Sequence, residues 1–87
     1  MEKEVKMIST VSAVLDFKRK NPGADSEKIL RYVADFVSKE KDYDVKISMM
    51  AAGTKAVSII ERNPRLSERE VIKKIVELLP EINSNIY

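Results

Sequence analysis

The chain has 87 residues, which is room for one domain, and its 16 basic and 14 acidic side chains leave a net charge of only +2. Hydrophobic residues at 44% and charged residues at 34% exclude both a disordered chain and a membrane protein. Cys, His and Trp are absent, which removes disulfides, thiolate nucleophiles, imidazole bases and nearly every transition-metal site.

Helical periodicity accounts for the whole chain. Met7, Ile8, Val11, Val14 and Leu15 recur at spacings of three and four, predicting a first helix over about 3–20. Asn21-Pro22-Gly23 ends it, because proline disfavours helical geometry in the residue before it. Asp25 is placed to cap a second helix, with Glu27 complementing the dipole of the first turn. Ile29, Tyr32, Val33, Phe36 and Val37 line its apolar face, with Leu30 on the flank, and Lys28, Arg31, Asp35 and Ser38 line the opposite one.

Lys39 to Asp44 has no apolar period and reads as the second connection, with Asp42 or Asp44 capping a third helix over about 44–62. Val45, Met49, Met50, Ala52, Gly53, Ala56, Val57, Ile59 and Ile60 cover half of that helix, so it is expected to be the most buried element. Glycine inside a helix is less favourable than alanine by about 1 kcal/mol, so Gly53 beside Ala52 marks a close helix crossing.

Arg62-Asn63-Pro64-Arg65 ends the third helix, and Ser67-Glu68-Arg69-Glu70 forms a capping box with Leu66 and Val71 as its hydrophobic staple. Val71, Ile72, Ile75, Leu78 and Leu79 form the stripe of the fourth helix, against Arg69, Lys73, Lys74 and Glu77. Pro80 is expected to end or kink it, although Ile82 and Ile86 keep its spacing.

The two halves align without a gap at an offset of 42 residues, setting Asn21-Pro22 on Asn63-Pro64, Asp25 on Ser67, and Ile29, Val33 and Phe36 on Val71, Ile75 and Leu78. The expectation is a single all-α domain, an antiparallel up-down four-helix bundle of two tandem αα-hairpins: hairpin one over about 3–39, hairpin two over about 44–79, and a tail over 80–87.

The segment from Met50 to Ile60, a proline-containing turn, and the segment from Ile72 to Leu79 together resemble the archaeal uncharacterised protein family 0147. That family has an Ala-rich third helix ending in an Ile-Ser-Ile-Leu-like run and a last helix with an Ile-Val pair before Leu. The resemblance covers about residues 44–82. This chain departs from it at Asn63-Pro64, where the family tends to have an Asp-Pro turn and a second proline, and at the turn it is two residues shorter. The resemblance implies a compact helical bundle and brings no activity, ligand or site residue.

Without His or Cys, only carboxylates, Lys, Tyr, Ser and Thr remain for catalysis, and no arrangement of them suggests an enzyme, a cofactor or a catalytic residue. Glu40, Asp42 and Asp44 alternate, but a calcium loop starting at Asp42 needs glycine where Ile47 stands, so capping of the third helix is the favoured account and no metal is expected. A bundle of this topology gathers Lys18, Arg19, Lys20, Arg62, Arg65 and Arg69 at the end with both Asn-Pro turns. Those side chains are the candidate nucleic-acid contacts, although cations at helix C-termini also answer the dipole.

Phe17, Ile82, Ile86 and Tyr87 fall off the main stripes and are the candidate protein interface, to a second copy or another protein. The Met49-Met50 pair reads as core filling rather than as an adaptable groove. Met1 to Lys6 carries no apolar run of a signal peptide and no segment matches a membrane span, so the expected location is the cytoplasm. Gln is absent and Lys and Glu abound, a thermophile-like composition. The expected role is a non-catalytic interaction or scaffold module, with nucleic-acid binding at the basic end as the alternative.

Overall fold

A computed structural model describes residues 2–86, with side chains to residue 83. The described residues form helices α1 (Glu2–Lys20), α2 (Ser26–Val37), α3 (Tyr43–Arg62) and α4 (Glu68–Ile86), without a strand. None of these helices is long and apolar enough to cross a membrane. The radius of gyration, 12.0 Å, is the value of about 12 Å expected of a compact chain of this length.

The caps sit where the polar side chains dictate. Asp25 Oδ1 accepts from the Lys28 amide at 2.9 Å and starts α2. Asp42, rather than Asp44, starts α3, accepting from the Asp44 and Val45 amides at 3.0 and 3.3 Å. At α4 the capping box closes in both directions: the Glu70 amide donates to Ser67 Oγ at 3.1 Å, and the Ser67 amide donates to Glu70 Oε1 at 3.0 Å.

Pro80 neither ends nor stops α4, which continues to Ile86. The hydrogen bond that proline removes would run to the carbonyl of Val76, a residue 49% exposed, so water can take that carbonyl on the outer face of the helix.

Packing centres on α1 and α3. Each touches all the other helices, whereas α2 and α4 lie on opposite flanks and do not touch each other among the described residues. Met7, Val11, Val14 and Leu15 from α1 meet Met49, Ala52, Ala56 and Val57 from α3, with Ile29, Val33 and Val37 closing one side and Val71 and Ile75 the other. Removing each large side chain of this set from water stabilises the fold by roughly 1.5–3 kcal/mol before entropy is counted.

The crossing expected at Gly53 is tight. A Cβ there would lie 2.8 Å from Val33 Cγ1 and 3.1 Å from Thr10 Cγ2, so this single position lets α3 approach α1 and α2 together. Beside it the buried Thr10 hydroxyl donates back to the Lys6 carbonyl at 2.9 Å, whereas the buried Ser48 hydroxyl has no hydrogen-bond partner among the described residues.

The offset of 42 recurs in the backbone. The Asn21 amide donates to the Phe17 carbonyl at 2.8 Å and the Asn63 amide to the Ile59 carbonyl at 3.0 Å. The Ala24 amide bonds the Asn21 carbonyl at 2.9 Å, and the Leu66 amide bonds the Asn63 carbonyl at 3.2 Å. Buried positions follow the same register: Met7 with Met49, Leu15 with Val57, Ile29 with Val71, and Val33 with Ile75.

Candidate functional site

The basic residues at the Asn-Pro turns divide by their partners. Lys18 folds back, its Nζ donating to the Pro22 and Ala24 carbonyls at 3.1 Å each, which neutralises the open end of the first turn. Arg19 reaches across to α4, where Nη1 meets Glu68 Oε1 at 3.1 Å, and its Nη2 is paired with Asp16. Lys20 pairs with the same Asp16 at 3.1 Å, and this contact holds the Asp16 carboxyl below its ordinary pKa. Arg62, Arg65 and Arg69 are exposed and have no ion-pair partner among the described residues. Lys18, in contact with the first turn, also lines a small cleft with Asn63 and Pro64 of the second.

The acidic run is absorbed by structure. Asp42 is the α3 cap, and Glu40 accepts from Lys6 Nζ at 2.6 Å and from the Asp42 amide at 3.0 Å. The Lys6 ammonium is the main reason the Glu40 carboxyl sits below its ordinary pKa and, reciprocally, Glu40 raises that of Lys6. Among the described residues no three acidic groups converge as metal ligands would.

Of the expected interface residues, Phe17 stacks on Tyr32 with ring centroids 4.4 Å apart, and Tyr32 meets Phe36 at 6.4 Å. Ile82 is half-buried and lines a groove between α3 and α4. The side chain of Ile86 and the whole of Tyr87 lie outside the described residues.

The sequence reading set aside a groove at Met49-Met50 in favour of core filling, and the structure corrects that reading at Met50. The wider part of the groove, about 640 Å³, is lined by Met50, Ala51, Thr54 and Ser58 from α3 and by Glu81 and Ile82 from α4. A narrower part of about 340 Å³ follows toward the second turn, lined by Ile59, Arg62, Leu66, Lys74 and Glu77. Lys55 and Leu78 line both parts, which adjoin there. Met50 therefore faces this groove, while its neighbour Met49 is in the core.

The signal for the groove was present in the aligned halves. At the offset of 42, Phe17, Tyr32 and Phe36 correspond to Ile59, Lys74 and Leu78. Beside the first turn three rings fill the outer seam of hairpin one, whereas beside the second turn a branched aliphatic, a lysine that extends toward solvent and a leucine leave the equivalent stretch open. Farther from the turns both hairpins are open: the counterpart of the wider part of the groove is a pair of clefts of about 570 and 290 Å³ lined by Ile8, Ser9, Ser12 and Phe36. An apolar floor with charged rims is an arrangement that can bind a helix or another apolar surface. No family model matches this sequence, and neither a curated protein nor a solved structure matches it.

Proposed function

We propose that the chain is a non-catalytic protein-interaction module that presents the α3/α4 groove to a partner. The observation that carries the reading is the open groove itself, apolar along Met50, Ala51, Ile59, Leu78 and Ile82 and running on to the second turn, where the matching stretch beside the first turn is filled by aromatic rings. Unfilled apolar surface bordered by charge is a common mark of association. The supporting scaffold is read as an antiparallel up-down bundle of two hairpins. The ties Lys6–Glu40, Arg19–Glu68 and Asn83–Glu4 support that reading, because each joins the beginning of one helix to the end of another or to the residues just beyond it.

The test is capture from the source organism's lysate on the immobilised full chain, with and without nuclease. The expected outcome is a protein partner that survives nuclease treatment and is lost with Leu78→Asp in the groove. Capture that disappears with nuclease, and is lost instead in Arg62→Glu with Arg65→Glu, would overturn the reading in favour of nucleic-acid binding through the unpaired arginines, with the steep salt dependence of phosphate contacts.

A further inference from the structure

The groove carries opposite charges at its two ends. Toward the second turn it is rimmed by Arg62 and Lys74, and beyond Leu78 it is rimmed by Glu81. Lys74 and Glu81 are separated by two helical turns, about 10 Å along α4, and so lie on one stripe of the helix. Neither has an ion-pair partner among the described residues, and the spacing prevents them from meeting each other within one chain. Lys55 and Leu78 mark the waist between the two ends, with Glu77 adjacent.

Lys74 and Glu81, placed on either side of the waist, are a self-complementary pair of rim positions. When a second copy is turned by a two-fold rotation about an axis through the waist, Glu81 of each chain falls opposite Lys74 of the other, so two ion pairs form for one contact. In the same register Glu77 stands near the axis to answer the partner's Lys55. A copy laid in the same direction would instead place like charge on like charge. The apolar floor of Met50, Ala51, Leu78 and Ile82 is covered between the copies, and the charges set the orientation.

We infer that the α3/α4 groove is a two-fold contact between two copies of this chain, α4 of each lying along the groove of the other. This deepens the interaction-module reading and rests on it.

Sedimentation equilibrium of the full chain tests the inference with a charge-swap series. Both rim positions carry charged side chains in water, and circular dichroism checks that each variant keeps its helix content. The natural sequence is expected to dimerise in the micromolar range. Lys74→Glu alone and Glu81→Lys alone each create two like-charge contacts per dimer, and each is expected to weaken self-association by about tenfold or more. An equimolar mixture of the two variants restores both pairs, and is expected to associate about as tightly as the natural chain.

A natural chain that stays monomeric, single variants that dimerise unchanged, or a mixture no tighter than its components would each overturn the two-fold contact. A monomeric chain that nevertheless captures a nuclease-resistant protein through Leu78 would overturn the pairing of copies while leaving the interaction-module reading in place.

Discussion

Hairpin one and hairpin two reach the same interior by equivalent bonds and finish their outer seams differently. The turn after α1 and the turn after α3 share their backbone hydrogen bonds, and the side chains they direct inward match pair by pair, Val33 with Ile75 and Leu15 with Val57. Outside that interior the halves diverge: Phe17, Tyr32 and Phe36 stack over the α1/α2 seam, and Ile59, Lys74 and Leu78 leave the α3/α4 seam open. The difference lies in the stretch beside the turns, closed by rings in hairpin one and open in hairpin two. The fold is carried by what the halves share, and the proposed function by the positions at which they differ.

The comparison breaks most easily in the shared interior. Ile75 is fully buried between α4 and the central pair, so Ile75→Ala is expected to destabilise by about 2–5 kcal/mol, and Val33→Ala at the equivalent position by less because one carbon fewer is removed. Because the interior is common to both hairpins, chemical denaturation of either variant should show one cooperative transition. Two separated transitions would mean that the hairpins fold as independent units.

The glycines offer the next largest contrast. Gly53→Ala drives a methyl group toward Val33 Cγ1, at 2.8 Å, and the branched valine can turn only by bringing its other methyl group forward, at 3.4 Å. The expected loss is about 1–3 kcal/mol, larger than the gain of about 1 kcal/mol in helix propensity. Gly23→Ala meets no atom within 4 Å, and its backbone is not in the left-handed region. Hairpin two has Arg65 at the corresponding position, and the expected change is within about 0.5 kcal/mol. Both values come from the same denaturation measurement, and equal effects at the two glycines would contradict the close crossing at α3.

Grafting the seam of hairpin one onto hairpin two sharpens the comparison further. The triple variant Ile59→Phe, Lys74→Tyr and Leu78→Phe places the rings of the first seam at the same register in the second. It is expected to raise stability by about 0.5–1.5 kcal/mol per aromatic pair formed and to abolish association through the groove. Retained association would show that the open seam is not the contact surface.

The smallest expected effect is that of pH. Hydrogen bonds hold the carboxyls of Glu40, Asp16 and Glu70 below their ordinary values: from Lys6 to Glu40, from Lys20 to Asp16, and from the Ser67 amide to Glu70. A carboxyl whose pKa is lower in the folded than in the unfolded chain stabilises the fold above the unfolded value and loses that contribution as pH falls through the folded one. Stability is therefore expected to decline gradually once pH drops below about 4.5, the ordinary glutamate value. Lys6 is shifted upward by Glu40, so its contribution is present below the ordinary lysine value and is lost as pH rises through the raised one. Glu40→Gln should remove the Lys6-linked part of both slopes in denaturation curves taken across pH.

Much of the fold was legible in the residues because caps and stripes are local. Asp25, Asp42 and the Ser67 to Glu70 box start helices through oxygens that reach amides two or three residues away, so the spacing alone identifies them. Pro80 was harder to read: whether a proline stops a helix depends on where the freed carbonyl points, and that depends on which face of α4 meets the bundle.

The separation of α2 from α4 is also tertiary, because both carry an apolar stripe and the stripe does not say which helix covers it. Arg19 and Glu68 are 49 positions apart, and nothing in the spacing pairs them. The groove escaped for a related reason. Half-buried Met50, Leu78 and Ile82 follow the same period as the core, and only the missing bulk at Lys74 and Ile59 distinguishes a seam left open from one that is closed.

A dilution series followed by methyl NMR spectroscopy tests the central claim most directly. The methyl resonances of Met50, Ile59, Leu78 and Ile82 are predicted to shift together as concentration falls, while those of Leu15, Val33 and Val37 stay fixed. Shifts centred on the Phe17 seam of hairpin one, or no concentration dependence at any methyl group, would contradict the assignment of association to the α3/α4 groove.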